Sequence, residues 1–340
     1  MEIVFWLFFT FILGMGIFKS ISKKLDVFDD DFPSVRPDGE KGSGPESAKG
    51  QQPEQAKSAE PEQVQEAKPV LGPEAKPVLV PGSKPGPVLK PKAAPERLFG
   101  LIGKPLGHSK SVVLFKTRFR QQHISADYRN FELESIDELP DMIAANPNLC
   151  GFNVTIPYKE AVIPFLDSLD ESASAVGAVN AVKVIRTRES VRLVGYNTDC
   201  QGFLDSIKDH IGDRRKALIL GTGGAAKAVK HAFDLLGVES RFVSRSSTFD
   251  IMGYYELSPS ILEEYTIIVN CTPVGMFPNV DQCPDIPYSF ISSEHLLYDV
   301  INNPDQTLFM KKGLERGASV IGGEDMFELQ AAASWRIWNS

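Results

Sequence analysis

The segment that begins at residue 216 combines an apolar strand, a glycine-rich turn and an amphipathic helix, and it constrains the fold more than any other part of the sequence. KALIL (216–220) precedes the turn GTGGAA (221–226), and the helical pattern continues to a stop at Gly237. The apolar positions of this helix share one face, because they recur at steps of three and one: Ala225, Ala228, Val229, Ala232, Phe233 and Leu236. RFVSR (241–245) has the pattern of the next strand. The segment therefore predicts a β–α–β unit of the dinucleotide-binding type.

The turn and the end of the next strand indicate which ligand this unit binds. Gly221 permits a tight turn, and Gly223 lets the backbone approach a pyrophosphate that the free amides of the helix start then face. A plain strand–turn–helix connection is the alternative, but the surrounding strands favour a nucleotide site. An NAD site has Asp or Glu at the strand end, whereas this chain has Ser244 and Arg245. A guanidinium suits a 2′-phosphate, so we predict NADP(H), with a solvated strand-end arginine as the alternative.

Short apolar runs alternate with amphipathic stretches throughout the chain from residue 97 onward. LFGLIG (98–103) and CGFNVTI (150–156) have the pattern of buried strands, and SVVLFKTRFRQQ (111–122) between them has that of a helix. This alternation predicts an α/β fold with a mainly parallel sheet, arranged in two lobes.

The N-terminal part of the chain has a different composition. Residues 26–96 carry 13 of the 24 prolines and a near-repeat, EAKPVLGP (66–73) followed by EAKPVLVP (74–81). Such a segment buries too little apolar surface to offset its chain entropy, so we predict a disordered, extended linker over residues 21–96. A proline-rich docking ligand for a partner domain is the alternative.

An uncharged apolar run, IVFWLFFTFILGMGIF (3–18), lies within the segment 1–20. As a helix the run would span about 24 Å, which is short of the roughly 30 Å hydrocarbon core. A membrane anchor, a signal peptide and initiation at Met15 are the three interpretations, and the acidic Glu2 argues against the signal peptide. The lysines that follow the run are Lys19, Lys23 and Lys24. By the positive-inside rule we expect an N-terminal anchor with a cytoplasmic catalytic part.

Charge and cysteine content exclude several classes of protein. The chain has 36 Lys and Arg against 44 Asp and Glu, a net charge of −8, which argues against a nucleic-acid partner. Its four cysteines show no CxxC or other close metal-ligand spacing. A disulfide scaffold and a zinc ribbon are therefore excluded, a reducing compartment is indicated, and we predict no metal site.

Polar side chains cluster where four apolar runs end, in HSKS (108–111), NVTIPYK (153–159), GAVNAV (177–182) and GYNTD (195–199). Singly, such residues are helix caps or surface groups, and Asp199 has the pattern of an N-cap. Together they supply hydroxyls, amides, one ammonium and one carboxylate beside a dinucleotide unit. This combination predicts a site for a small polyhydroxylated acid.

The motifs follow one another in the order of a known family: FGLIGKPLGHSKS, GFNVTIPYKE, GAVNAV, GYNTDCQGF, LGTGGAAKAV, VSRSS, VNCTPVGM and GGEDMFELQAAASWRIW. Over residues 97–340 the chain resembles the shikimate dehydrogenases. The resemblance implies NADPH-dependent reduction of 3-dehydroshikimate to shikimate, in the pathway to chorismate and the aromatic amino acids. It also implies a substrate lobe over 97–212, a Rossmann-type NADP-binding lobe over 213–324, and a C-terminal helix (about 325–340) that returns to the first lobe. The implied partner is a small-molecule substrate, and both monomer and homodimer stay open.

The resemblance also assigns roles to individual residues. On the substrate side it implies Ser109 and Ser111 at the carboxylate, and Asn153, Thr155, Asn180 and Gln330 at the hydroxyls. The implied catalytic pair is Lys159, within reach of the reacting C3 oxygen, and Asp199, which holds the ammonium. On the cofactor side the matched residues are Gly221, Gly223, Gly224 and Ala225 at the pyrophosphate, Ser244, Arg245 and Ser246 at the adenosine phosphate, and Met276 and Gly323 near the nicotinamide.

The chain departs from the family pattern near the predicted nicotinamide site. Asn302 stands where the family commonly has a tyrosine, and Glu324 and Asp325 make the late glycine motif more acidic.

Two alternative functions stay open. The first is a quinate/shikimate dehydrogenase with relaxed cofactor or substrate choice, against which Ser244 and Arg245 argue. The second is a non-catalytic tethered homologue, against which the intact Lys159 and Asp199 argue.

Overall fold

The computed structural model describes residues 97–107 and 109–340. The predicted anchor over 3–18 and the predicted linker over 21–96 therefore lie outside the described residues. Among the helices that are described, none combines the length and the apolar character needed to cross a bilayer. Two six-stranded sheets organise this part of the chain. We call the elements around them the first and second lobes.

The first lobe is built around six strands from residues 97–196. They are β1 (Arg97–Gly103), β2 (Ala126–Glu132), β3 (Leu149–Val154), β4 (Ser168–Leu169), β5 (Ala181–Arg186) and β6 (Val191–Tyr196), in the order β2-β1-β3-β5-β6-β4. The helices of this part are α1 (Ser111–Gln121), α2 (Leu139–Ala145), α3 (Glu171–Val176) and α4 (Thr198–Ile207). The two predicted strands and the predicted helix are confirmed as β1, β3 and α1.

The first sheet contains two antiparallel pairs that the sequence pattern did not indicate. Strand β1 is parallel to β2 and β3, but β5 runs antiparallel to both β3 and β6. Only residues 187–190 connect β5 to β6, and the Thr187 amide donates to the Ser190 carbonyl at 2.9 Å. Such a short connection forms a hairpin, because parallel strands need a crossover of about a dozen residues or more.

The second lobe is a fully parallel sheet with the strand order of a dinucleotide-binding fold. Its strands are β7 (Lys216–Leu220), β8 (Glu239–Ser244), β9 (Ile251–Gly253), β10 (Ile267–Asn270), β11 (Leu296–Asp299) and β12 (Ser319–Ile321), in the order β12-β11-β10-β7-β8-β9. Its helices are α5 (Gly224–Leu235), α6 (Pro259–Glu264) and α7 (Leu308–Glu315). The order reverses between β7 and β10, and ligands bind at such a switch point. The predicted α/β fold class is confirmed.

Helix α5 begins and ends close to where its pattern predicted. Its buried residues are Ala226, Ala228, Val229, Ala232 and Phe233. Ala225 and Leu236, which the pattern assigned to the same face, are only half-buried, and Ala226 is buried in addition. The chain turns away after the helix at Gly237, whose φ of +67° suits a residue without a side chain.

The C-terminal helix α8 (Glu324–Asn339) returns to the first lobe, as the resemblance implied. Trp338 stacks on Phe99 with ring centroids 4.9 Å apart, and its indole nitrogen donates to the Val182 carbonyl at 3.0 Å. Gly151 makes room for this ring, because a Cβ there would lie 2.3 Å from Trp338. The helix therefore fastens the end of the chain onto the middle of the first sheet.

Candidate active site

Asp199 stands in the first turn of α4 because its neighbour caps the helix. The Asn197 side chain accepts a hydrogen bond from the Cys200 amide at 3.0 Å, which makes Asn197 the N-cap. Asp199 is therefore not the cap that its sequence pattern suggested. Its carboxylate is available for other contacts, in a position where the helix dipole favours negative charge.

Lys159 and Asp199 form an ion pair inside the protein. Lys159 follows β3 in a loop, and its Nζ lies 2.5 Å from Asp199 Oδ2. The two side chains are 15% and 8% exposed. Charged side chains in the interior of a protein are found paired, and this contact gives each of the two groups a partner of opposite charge. An ammonium has three N–H donors, and the contact with Asp199 uses one of them.

Asn180 fixes the other side of the Asp199 carboxylate. Its Nδ2 donates to Asp199 Oδ1 and to Thr198 Oγ1, both at 2.8 Å, and its Oδ1 accepts from the Thr198 amide at 2.6 Å. The carbonyl oxygen of the Gln330 side chain lies 3.4 Å from the same Nδ2. The amide of Asn180 thus bridges β5, α4 and α8, and it leaves Asp199 little freedom to rotate.

Asn153 is bound into a second buried network. Its Oδ1 accepts from the Tyr128 hydroxyl at 2.8 Å, and its Nδ2 donates to Ser334 Oγ at 2.8 Å and to the Asn180 carbonyl at 3.1 Å. Burial raises the pKa of Tyr128 well above its ordinary value, so this hydroxyl remains a proton donor. Both N–H groups of Asn153 are therefore engaged within the protein.

Sequence reasoning missed three members of these networks. Tyr128 lies on β2 without any motif around it, Thr198 stood unassigned inside GYNTD, and Ser334 lies one helical turn after Gln330. Ser334 Oγ donates to the Gln330 carbonyl at 2.9 Å. The four-residue spacing between Gln330 and Ser334 on a helix was the signal that could have identified Ser334.

The two serines of HSKS lie at the start of α1. Ser111 is the first residue of the helix and is buried, and its amide donates to Ser109 Oγ at 3.2 Å. The Ser111 hydroxyl also interacts with that of Tyr128. Thr155 follows β3, and its amide donates to the Ile102 carbonyl at 2.9 Å. These contacts connect both serines and the NVTIPYK segment to the same part of the first lobe.

The glycine turn of the second lobe lies directly against Lys159. Gly221 has a φ of +107° and closely approaches the loop after β10, since a Cβ there would lie 3.3 Å from Thr272. A Cβ at Gly224 would lie 2.9 Å from the Cβ of Lys159 and 3.2 Å from that of Ala178. The absence of a side chain at Gly224 therefore serves the contact between the lobes.

The start of α5 fits a phosphate group. Gly223 is the N-cap, where an added Cβ would meet open space. Within the described residues no side chain caps this helix and its first turn carries no acidic residue. The amides of the first turn, which include that of Ala225, have no acceptor within the helix, and such amides can bind an anion.

The end of β8 presents a cation to solvent. Ser244 is half-buried, and Arg245 and Ser246 are exposed. No carboxylate of the described chain forms an ion pair with Arg245. Burial raises the pKa of Tyr254, and the nearby positive charge of Arg245 opposes that rise. An exposed guanidinium of this kind has donors that can bind a phosphate group.

The remaining predicted cofactor residues lie in loops of the second lobe. Met276 follows β10 and is 40% exposed. Gly323 is the N-cap of α8, and a Cβ there would lie 2.4 Å from the Val300 carbonyl oxygen. Asn302 is half-buried in the loop after β11. Across the described residues, no three His, Cys, Asp or Glu side chains come together as metal ligands would.

Comparisons with known proteins agree on one family. Residues 101–182 match the family model described as the shikimate dehydrogenase substrate binding domain. The chain is 35% identical over 260 residues to the shikimate dehydrogenase (NADP(+)) of Carboxydothermus hydrogenoformans, and the match covers 71% of this chain and 91% of that protein.

Solved structures give the same result. Shikimate dehydrogenase 1 of Peptoclostridium difficile superposes with a TM-score of 0.64 at 36% identity, covering 72% of this chain and 91% of that one. The shikimate 5-dehydrogenase of Thermus thermophilus, solved in complex with NADP(H) and shikimate, superposes with a TM-score of 0.62 at 28% identity, covering 71% and 93%.

Proposed function

Because this chain belongs to the shikimate dehydrogenase family, we propose that it catalyses the reversible reduction of 3-dehydroshikimate to shikimate with NADPH. One observation carries the proposal. The Lys159–Asp199 ion pair lies directly beside the glycine turn of the second lobe, where a Cβ at Gly224 would lie 2.9 Å from Lys159. A proton donor and a dinucleotide-type turn are thus held together, as carbonyl reduction requires. The relatives from C. hydrogenoformans and T. thermophilus support both the substrate and the cofactor.

The residues of this chain supply the proton and the positioning. Bound NADPH supplies the hydride that reduces the carbonyl carbon, and the carbonyl oxygen must gain one proton as it becomes an alcohol. The Lys159 ammonium donates that proton. In the reverse direction the neutral Lys159 amine accepts the proton from the alcohol. Such positioned acid–base groups contribute roughly 10²–10⁴-fold to a rate. Asp199 orients the ammonium, and Asn180 orients Asp199.

The residues proposed to hold the cofactor fit its charges. The amides around Gly223, Gly224 and Ala225 would receive the pyrophosphate, with Gly221 making the turn. Arg245, flanked by Ser244 and Ser246, would receive the 2′-phosphate, because it is exposed and unpaired within the described chain. Met276 and Gly323 would line the nicotinamide side.

The residues proposed to hold the substrate divide into two groups. Ser109 and Ser111 would bind the carboxylate. Thr155, Gln330, Asn153 and Asn180 would contact the hydroxyls. The N–H groups of Asn153 and Asn180 already donate within the protein. We therefore expect substrate to share or replace some of these hydrogen bonds when it binds.

The same proposal extends to the organisation of the whole chain. We propose a substrate lobe over 97–212 completed by the helix at about 325–340, a cofactor lobe over 213–324, and a linker over 21–96. We further propose that the apolar run 3–18 tethers a cytoplasmic enzyme to the membrane, which rests on its sequence alone. Fractionation of cells that express the full chain tests the tether. Recovery of the protein in the fraction that contains no membranes would reject it.

The catalytic proposal is tested by assaying the full chain with 3-dehydroshikimate and NADPH, and with quinate and NAD⁺ as the competing pair. We expect turnover with the first pair. Lys159→Ala should lower turnover by about 10²–10⁴-fold while NADPH still binds, because only the proton donor is lost. Lys208→Ala is the matched control, since Lys208 forms a surface ion pair with Asp205 on α4. Near-normal turnover of Lys159→Ala would refute the assignment.

A further inference from the structure

A second set of charges, formed by residues other than Lys159 and Asp199, crosses between the lobes. Lys110 stands between the two serines of HSKS, and its Nζ contacts Asp305 Oδ1 at 2.8 Å and Glu324 Oε2 at 3.2 Å. Asp305 lies in the loop after β11, and Glu324 is the first residue of α8. We call Lys110, Asp305 and Glu324 the clasp. It connects the start of α1 to the loops of the second lobe.

The backbone of Lys110 is part of the turn that places both serines. Lys110 immediately precedes α1, and its carbonyl accepts from the Leu114 amide at 3.0 Å. Across this residue the Ser111 amide donates to Ser109 Oγ at 3.2 Å. Any displacement of Lys110 would therefore move the hydroxyls of Ser109 and Ser111 together.

The backbone on the acidic side of the clasp is tied to the second lobe by hydrogen bonds and close packing. The loop that carries Asp305 is fastened by Asp299, which accepts from the Thr307 hydroxyl at 2.6 Å and from the Ile301 amide at 3.1 Å. Glu324 follows Gly323, which passes so close to the second lobe that a Cβ would lie 2.4 Å from the Val300 oxygen. Both carboxylates thus extend from backbone segments that have their own contacts with the second lobe.

The charges of the clasp also matter to an anionic ligand. Burial alone would lower the pKa of Lys110, but its hydrogen bonds with Asp305 and Glu324 raise it above the ordinary value. The ammonium therefore stays protonated at neutral pH. Without it, two carboxylates would face the turn that is proposed to receive the substrate carboxylate, and like charges repel.

We propose that Lys110 is a positioning residue, and that the clasp holds the Ser109–Ser111 turn in the geometry that binds the substrate carboxylate. The inference rests on the proposed function, because it takes the two serines as the carboxylate site. It assigns a role to the Lys110 side chain through its contacts with Asp305 and Glu324.

Steady-state kinetics of the full chain with shikimate and NADP⁺ test the proposal. Lys110→Ala should raise the KM for shikimate about three- to fivefold, with kcat and the KM for NADP⁺ within about twofold. This size is expected for losing charge-assisted contacts that are partly open to solvent, since the side chains of Lys110, Glu324 and Asp305 are 31%, 43% and 88% exposed. Lys110→Arg should restore the KM. Lys104→Ala is the matched control, since Lys104 pairs with Glu134 inside the first lobe. A KM for shikimate that Lys110→Ala leaves unchanged would overturn the proposal.

A double variant separates positioning from simple charge balance. Asp305→Asn with Glu324→Gln keeps the ammonium but removes its partners. Positioning predicts that the KM for shikimate rises here also, by about threefold or more, because the turn is released. If the KM stays constant or falls, the ammonium acts by its charge alone and the clasp has no positioning role.

Hydrogen exchange of the free protein supplies a readout that does not depend on activity. The peptide spanning residues 104–111 should exchange faster in Lys110→Ala than in the wild type or in Lys104→Ala, because the turn has lost its anchor. Equal exchange rates would overturn the clasp. Absence of wild-type turnover with shikimate would instead overturn the proposed function, and the exchange experiment would still report on the clasp.

Discussion

Arg245 is the residue that we propose as the determinant of dinucleotide preference. It stands at the end of β8, exposed and without an ion-pair partner among the described residues. Hydrogen bonds to charged groups contribute about 1.5–3 kcal/mol. We therefore expect Arg245→Ser to raise the KM for NADPH roughly 10- to 100-fold and to leave the KM for NADH nearly unchanged.

The matched control for this prediction is Arg241→Ser on the same strand, which removes an exposed arginine away from the strand end. The measurement is the KM for each cofactor at saturating 3-dehydroshikimate. An equal rise in the KM for NADPH and for NADH would refute the assignment of Arg245 to the 2′-phosphate site.

Asp299 makes the stability of the protein depend on pH. It ends β11 and is fully buried, and burial raises its pKa from 3.8 to about 6 despite hydrogen bonds from Thr307, Ile301 and Asn270. Between these two values the folded protein binds more protons than the unfolded chain. The unfolding free energy therefore falls as pH rises from about 4 to 6, by at most roughly 3 kcal/mol.

Denaturant unfolding at several pH values between 4 and 7 tests this expectation. In Asp299→Asn the neutral amide cannot titrate, so the wild type should lose stability relative to the variant across that window. Asp281→Asn, at an exposed position, is the control and should follow the wild type. Parallel curves for the wild type and Asp299→Asn would contradict the assignment.

Two neighbouring glycines of the turn are expected to serve different purposes, Gly223 in cofactor binding and Gly224 in the contact with Lys159. A Cβ added at Gly223, at the start of α5, would meet open space. A Cβ added at Gly224 would lie 2.9 Å from the Cβ of Lys159. Gly223→Ala should raise the KM for NADPH, because its methyl group would occupy the phosphate position. Gly224→Ala should lower kcat by about tenfold or more, because it displaces Lys159 from its geometry.

The two glycine variants serve as controls for each other, since they differ by one position in the same turn. Their KM and kcat values are measured in the same assay. If Gly224→Ala raises only the KM for NADPH, the turn contacts the cofactor alone and the inter-lobe contact has no catalytic role.

The elements that sequence reasoning predicted best are those with a strong local pattern. The strand at 216–220 and the glycine turn were predicted as they occur, because apolar periodicity and the turn residues act over a few positions. The β5–β6 hairpin was not predicted, because strand pairing depends on the tertiary contacts of each strand and not on its local sequence pattern. Asn197 caps α4 in place of Asp199, and both residues suit that position, so local chemistry alone could not distinguish them.

At the scale of the whole molecule, both six-stranded sheets are built from residues of the described chain that begin at Arg97. All described strands and helices lie between Arg97 and Asn339, and Arg97 donates from its guanidinium to Asn339 Oδ1 at 2.8 Å. A variant that lacks residues 1–94 should therefore fold and keep kcat/KM for both substrates within about twofold.

The full chain assayed in parallel is the reference for this truncation, and thermal unfolding of both proteins shows whether the shorter one folds. A folded truncation that had lost its turnover would show that the extension contributes to the chemistry.

The amino-acid sequence by itself determined the dinucleotide unit, the fold class and the order of the family motifs, because each depends on residues that are close together along the chain. Only the tertiary structure decided which polar groups meet. The family resemblance implied the contact between Lys159 and Asp199, which are 40 positions apart, but nothing in the sequence indicated that Lys110 meets partners 195 and 214 positions away. Contacts between residues so far apart in the sequence depend on how the lobes pack, because the periodicity of a sequence does not indicate which surfaces will meet.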